Sequence, residues 1–137
     1  MNQQIIYPLD NGGVAVIIPA PECGLTIEEI AAKDVPAGKS FAIVDVSDIP
    51  TDNTFRDAWE YADKIVINID KAKEITKTRL RAERAPLLQN LDVAFQRALE
   101  TGADTSTIVA EKQRLRDITN VVNTCATLDE LRTLKVE

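Results

Sequence analysis

The fold of this chain is constrained most by residues 70–122, which have the pattern of two helices interrupted once, at residues 101–103. From residue 87 onward, apolar side chains recur at i, i+4 and i+8, which is typical of a helix packed on one side. Gly102 is expected to end the first helix, because glycine adopts the left-handed conformation without a Cβ penalty. Asp104 is expected to begin the second helix. Two apolar stripes joined by so short a loop predict an antiparallel helical hairpin.

Pro86 conflicts with a regular helix, because proline removes one backbone hydrogen bond and crowds the preceding turn. We expect either a kink at residues 81–85 or two helices that meet there. Arg79, Arg81 and Arg84 lie just before this point. They fit either a solvated charged face or a docking surface for an acidic partner. A nucleic-acid surface is disfavoured, because no aromatic residues alternate with these arginines and the chain is acidic overall.

The first half of the chain has the pattern of a small β module. Two apolar runs, residues 5–7 and 14–18, flank an Asn-Gly-Gly turn and predict a β-hairpin. Thr26 and Glu29 have the spacing of a capping box and predict a short helix. Residues 41–46 are apolar on both faces, which indicates a strand in the centre of a sheet. Residues 64–69 are expected to form either a further strand or a short extended lead into Asp70. Thr127 with Glu130 predicts a last helix.

Residues 54–61 alternate in a way typical of a strand, and they hold half of the aromatic residues of the chain. One interpretation is a core or hairpin strand. The alternative is an aromatic patch that faces a partner, because tryptophan and tyrosine are enriched at interface hot spots. Taken with the arginines, this alternative gives the following candidate partner-binding residues: Phe55, Arg56, Trp59, Tyr61, Arg79, Arg81 and Arg84.

The predicted fold class is α+β. A small N-terminal antiparallel β module with one short helix, residues 1–69, precedes a C-terminal antiparallel helical hairpin with a short terminal helix, residues 70–137. A length of 137 residues and a hydrophobic content of 45% suit one compact domain or two small ones.

Composition argues against an enzyme or a metal protein. The chain has no histidine, which removes the commonest general base and metal ligand. Cys23 and Cys125 lack metal-site spacing and are expected to be reduced thiols. Asp45, Asp48, Asp52 and Asp57 offer the weakest alternative, an acid/base pair or cation site. We therefore predict no catalytic, cofactor-binding or metal-binding residues and no cofactor.

The net charge of −6 argues against binding nucleic acid or anionic membranes. The N-terminal residues show no signal peptide, and no apolar run approaches the length of a membrane span. We therefore expect a protein made in the cytosol, which either stays there or is carried in a particle assembled there.

Several motifs follow one another between residues 54 and 134. They are the segments 55–59 (FRDAW), 70–75 (DKAKEI), 79–88 (RLRAERAPLL), 91–92 (LD), 97–100 (RALE) and 115–117 (LRD). Together they resemble a family of small phage and prophage proteins known as tail assembly chaperone-like or tail fibre accessory proteins. The resemblance covers more than half of the chain.

The resemblance implies a non-enzymatic bacteriophage tail protein that acts through protein–protein contacts. Two roles stay open: a minor structural or accessory component of the tail or tail fibre, and a transient assembly chaperone absent from the mature virion. The implied partners are tail or tail-fibre proteins or further copies of the chain. The implied location is the host cytoplasm during assembly or the virion tail. An adaptor that binds host proteins is the alternative outside this family.

Overall fold

The structure of the protein is a computed structural model, which describes residues 2–136. The chain divides between Asn68 and Ile69 into two compact units, here called the N-terminal and C-terminal units. The sequence placed this division one residue later. The outer ends of the predicted domains, Met1 and Glu137, lie outside the described residues.

The N-terminal unit is built on a three-stranded antiparallel sheet and a two-stranded one. Its regular elements are β1 (Gln3–Pro8), β2 (Val14–Ile17), α1 (Ile27–Asp34), β3 (Ala42–Asp45), β4 (Trp59–Tyr61) and β5 (Ile65–Ile67). β1 pairs with β2 in a register that joins Ile5 to Ile17, which confirms the predicted hairpin. The predicted capping box is confirmed as well, because the Thr26 hydroxyl accepts from the backbone N–H of Glu29 at 3.2 Å.

The strand expected in the centre of the sheet is β3, and this expectation is wrong: the strand order is β2-β1-β3, so β3 lies at an edge. Both of its faces are nevertheless covered. Ile43 packs against a cluster that contains Ile30 of α1, whereas Val44 packs against a cluster that contains Trp59 of β4. The apolar character of β3 therefore results from the layers above and below the sheet and not from a central position.

The single strand predicted at residues 54–61 is also corrected. A 3-10 turn (Arg56–Ala58) precedes β4, and the Ala58 N–H donates to the Phe55 carbonyl at 2.9 Å. The 3-10 spacing of three residues places both Phe55 and Ala58 in the interior, while Asp57 stays exposed. The alternation of residue types therefore predicted a strand over residues 54–61, of which only the last three residues form one.

The C-terminal unit consists of α2 (Ile69–Thr101), α3 (Ser106–Val122) and α4 (Leu128–Thr133). α2 packs against both α3 and α4, so the predicted helical hairpin and terminal helix are confirmed, and with them the α+β class. α2 continues through Pro86 as one helix, so the alternative of two helices meeting there is wrong. The buried side chains of this unit include Ala72, Thr76, Leu80, Ala98, Leu115, Ile118, Val122 and Leu131.

The turn of the hairpin has the chemistry that the sequence predicted. Gly102 has a φ of +73°, and the N–H groups of Gly102 and Ala103 donate to the carbonyls of Leu99 and Ala98, as in a Schellman motif. Asp104 accepts from the Ser106 N–H at 3.0 Å. Thr105 is the N-terminal capping residue of α3, and Asp104 precedes it by one residue. The Asp104 carboxylate thus stabilises the start of α3 from just outside the helix.

Candidate protein-binding surface

The predicted aromatic patch is largely interior. Phe55 and Trp59 are each only 2% exposed, and Trp59 belongs to the cluster formed with Ile6 and Val14. The core interpretation therefore fits these two side chains, and the expectation that they present an accessible patch is corrected. Tyr61 is half-buried, and its hydroxyl donates to Asp63 at 3.0 Å. Burial, with a smaller contribution from that bond, raises the pKa of Tyr61.

Arg56 makes its contacts within the N-terminal unit. Its Nη2 donates to the backbone carbonyl of Val14 at 2.6 Å, and its guanidinium carbon lies 4.2 Å from the centroid of the Trp59 ring. A charged donor on a backbone carbonyl and a cation over an indole face are both stabilising. Arg56 thereby links β2 to the segment that precedes β4.

Two of the three candidate arginines of α2 make contacts inside the C-terminal unit. Arg79 Nη2 donates to the carbonyls of Leu131 and Leu134 at 3.2 and 2.7 Å. Arg84 Nη1 donates to the carbonyls of Leu115 and Arg116 at 3.1 and 3.0 Å. Neither side chain is simply solvated. Arg81, in contrast, is exposed, and its role in partner binding stays a prediction.

One side of the hairpin carries apolar side chains that are not fully covered. We call this set the lateral face: Leu88, Phe95 and Leu99 of α2 and Val109 of α3. The α2 members are spaced i, i+7 and i+11, which places them on one side of the helix. Leu99 is 55% exposed and Val109 is 48% exposed, whereas Leu88 and Phe95 are half-buried.

Lys112 joins α3 to α2 on this same side. Its Nζ lies 2.6 Å from Asp92 Oδ1 and 5.1 Å from the centroid of the Phe95 ring. Val109 precedes Lys112 by three residues, so the two lie on neighbouring positions of one α3 surface. The lateral face therefore spans both helices across the groove between them.

The lateral face has a basic border. Arg81 lies seven residues before Leu88 on α2, Arg116 lies four residues after Lys112 on α3, and both are exposed. The cation of Lys112 is paired with Asp92. This border contrasts with the charge of the N-terminal unit. Residues 1–68 hold 4 of the 16 basic and 11 of the 22 acidic side chains of the chain.

The sequence predicted the apolar stripe of α2 but not its division into a buried set and an accessible set of side chains. Ala98 is buried, whereas Leu99 beside it is half exposed. The helical spacing could have predicted this division. Leu80, Leu91 and Ala98 lie along one line on the surface of α2. Leu88, Phe95 and Leu99 lie to one side of that line. When an apolar stripe is wider than the area that one neighbouring helix covers, part of the stripe stays accessible to solvent.

Residues 2–136 contain no cluster of acidic and cysteine side chains with the geometry of a metal site. Both cysteines are free thiols: Cys23 is exposed and Cys125 is buried, and burial raises the pKa of the Cys125 thiol. The same part of the chain has no helix whose length and apolar character would let it cross a membrane. No protein-family model, curated protein or solved structure matches this chain.

Proposed function

We propose that this chain is a non-enzymatic bacteriophage tail protein that acts through protein–protein contacts, as a minor structural or accessory component of the tail or tail fibre. The proposal rests on the motif resemblance across residues 54–134. The observation that carries it is the lateral face, an apolar surface with a basic border on two helices that are linked by the ion pair of Lys112 with Asp92.

The lateral face has the composition of a protein-binding surface. Clustered apolar side chains with a polar border are characteristic of interfaces, whereas single exposed apolar residues are ordinary. Leu99 and Val109 provide the accessible apolar area, and Arg81 and Arg116 provide charges that would steer an acidic partner. The hairpin turn at Gly102 holds the two helices in place without a long flexible loop.

A transient tail assembly chaperone is the second candidate. The half-buried state of Leu88 and Phe95 favours it, because it limits the accessible apolar area, and small interfaces are typical of transient complexes. Such a protein would cover a tail or tail-fibre surface during assembly in the host cytoplasm and then leave. Both candidates use the same surface and differ in whether the contact is permanent.

The decisive experiment is mass spectrometry of purified particles of the encoding phage, with copy number, alongside infected-cell lysate. A structural component is expected in the particles at a copy number related to the tail symmetry. A chaperone is expected only in lysate, bound to a tail or tail-fibre protein. Presence in neither form, with binding to a host protein instead, would contradict both candidates and support the adaptor alternative.

A pair of matched variants tests the surface itself. Leu99→Glu places a charge in the lateral face, whereas Val93→Glu places the same charge on α2 at a position that is 51% exposed and lies outside that face. We expect Leu99→Glu to reduce the tail-bound fraction at least tenfold and Val93→Glu to leave it unchanged. Equal effects of the two variants would exclude the lateral face as the contact surface.

A further inference from the structure

The outer edge of β3 presents backbone groups that are not used by the sheet. The Val46 N–H donates to the Asn2 carbonyl at 2.7 Å, and β3 pairs with β1 so that Val44 opposes Gln4. Bonded and non-bonded pairs alternate along an antiparallel ladder. Val44 therefore bonds to β1, while the N–H and C=O groups of Ile43 and Asp45 point away from it.

The two edges of this sheet differ. At the β2 edge, the guanidinium of Arg56 donates a hydrogen bond to the carbonyl of Val14. The acceptor at this end of the strand therefore already has a partner. At the β3 edge, no further strand pairs with Ile43 or Asp45 anywhere in residues 2–136. An edge with unused donors and acceptors is a template for an added strand.

A groove of about 400 Å³ lies beside this edge, and its walls include Ile43, Asp45, Asp48, Asp63 and Lys64. Three aspartates and one lysine thus line the groove. The Asp45 carboxylate accepts from the Ser47 N–H at 2.9 Å, and this backbone bond lowers the pKa of Asp45, so it is ionised at neutral pH. The groove is negative, as is the N-terminal unit as a whole.

We propose that the outer edge of β3 binds an extended, basic segment of a partner protein by strand addition. The segment would exchange backbone hydrogen bonds with Ile43 and Asp45, and its Lys or Arg side chains would lie near the carboxylates of Asp45, Asp48 and Asp63. This site is separate from the lateral face and does not depend on the proposed tail function.

The first test uses the full chain and short synthetic peptides that alternate Lys or Arg with Val or Ile. Fluorescence anisotropy at low salt should show binding, and NMR titration should place the largest amide shifts at residues 42–46. A matched peptide with Glu at the basic positions should not bind. Two further peptides are N-methylated at every second amide, one at the odd and one at the even positions. One of them should lose binding and the other should keep it, because only one of these two sets of amides faces β3.

The second test compares two double variants of equal charge. Asp45→Asn with Asp48→Asn removes two charges at the edge while keeping an oxygen that accepts from Ser47. Glu22→Gln with Glu28→Gln removes two exposed charges that do not line the groove. We expect the first pair to weaken basic-peptide binding about threefold to tenfold, with a smaller effect at high salt, and the second to leave it unchanged.

Several outcomes would overturn the proposal. Equal binding of basic and acidic peptides, no effect of N-methylation at either set of amides, or shifts centred outside β3 would each do so. Failure of every peptide to bind would also overturn it, and the carboxylates would then serve only to keep this edge from pairing with other chains.

Discussion

Arg79 Nη2 donates a hydrogen bond of 2.7 Å to the carbonyl oxygen of Leu134, the C-terminal capping residue of α4. The same nitrogen donates to Leu131 at 3.2 Å, and Nη1 forms an ion pair with Glu83 at 2.9 Å. A six-residue helix is too short to be stable alone, so its last carbonyls depend on partners from elsewhere. One arginine of α2 thus fixes α4 in place.

Arg79→Ala should therefore destabilise the C-terminal unit by about 1.5–3 kcal/mol, the range for hydrogen bonds to charged groups. Arg81→Ala, two residues away and exposed, is the matched control and should stay within about 0.5 kcal/mol of the wild type. Urea unfolding followed by circular dichroism measures both. Equal losses in the two variants would mean that the carbonyl contacts of Arg79 contribute little.

Trp59→Ala should destabilise the N-terminal unit by about 3–5 kcal/mol, because it empties the centre of the cluster that contains Ile6 and Val14. Trp59→Phe should cost much less, since a phenyl ring still fills most of the space and the buried indole N–H has no hydrogen-bond partner within residues 2–136. Amide NMR signals of residues 2–68 report on this unit separately. A native spectrum for Trp59→Ala, combined with lost partner binding, would instead make Trp59 an interface residue.

Leu91→Asp should destabilise the hairpin by about 3 kcal/mol, because it places a charge on the half-buried side of α2 that packs against α3. Val93→Asp introduces the same charge on the same helix where the side chain is 51% exposed, and it should be close to neutral. Melting temperatures of the two variants decide the point. A wild-type melting temperature for Leu91→Asp would refute the assignment of this side of α2 as the one that packs against α3.

Pro86→Ala should stabilise α2 by about 1–3 kcal/mol, because the alanine N–H can donate to the carbonyl one turn earlier and the proline ring no longer crowds that turn. Ala85→Gly, at the neighbouring exposed helical position, should instead destabilise by about 1 kcal/mol. Denaturant unfolding gives both values. A loss of stability in Pro86→Ala would show that packing of the hairpin requires the backbone geometry that the proline imposes.

The Asp104 carboxylate should make the hairpin sensitive to acid. The backbone hydrogen bond from Ser106, more than any other contact, lowers the pKa of Asp104 below its ordinary value of 3.8. A carboxyl whose pKa is lower in the folded state contributes stability that is fully present above the unfolded pKa and is lost as pH falls through the folded one.

Wild-type stability should therefore fall more steeply than that of Asp104→Asn as pH is lowered from neutral to about pH 3. The asparagine keeps an acceptor oxygen for Ser106 but does not titrate. Thermal unfolding across this range, with the exposed Asp117→Asn as the control, measures the difference. Parallel pH profiles for wild type and Asp104→Asn would show that this carboxylate has no role in the acid sensitivity.

The local elements of this protein could be predicted from its sequence. Thr26 and Thr127 cap helices where the spacing of their glutamates predicted, and Gly102 ends α2. These features depend on residues within one or two turns of each other, so the chain carries them without reference to its tertiary structure. The hairpin followed in the same way, because two apolar stripes with a short loop have few other ways to bury each other.

The neighbours of each element could not be predicted in this way. β3 lies at a sheet edge although its composition suits a centre, because layers above and below cover it. Arg79 and Arg84 bind carbonyls 31 to 55 residues away, which no local pattern of charges reveals. Leu99 is accessible beside the buried Ala98 because α3 covers only part of the apolar stripe of α2. Burial and long-range hydrogen bonds depend on which segments meet, and periodicity within one segment does not contain that information.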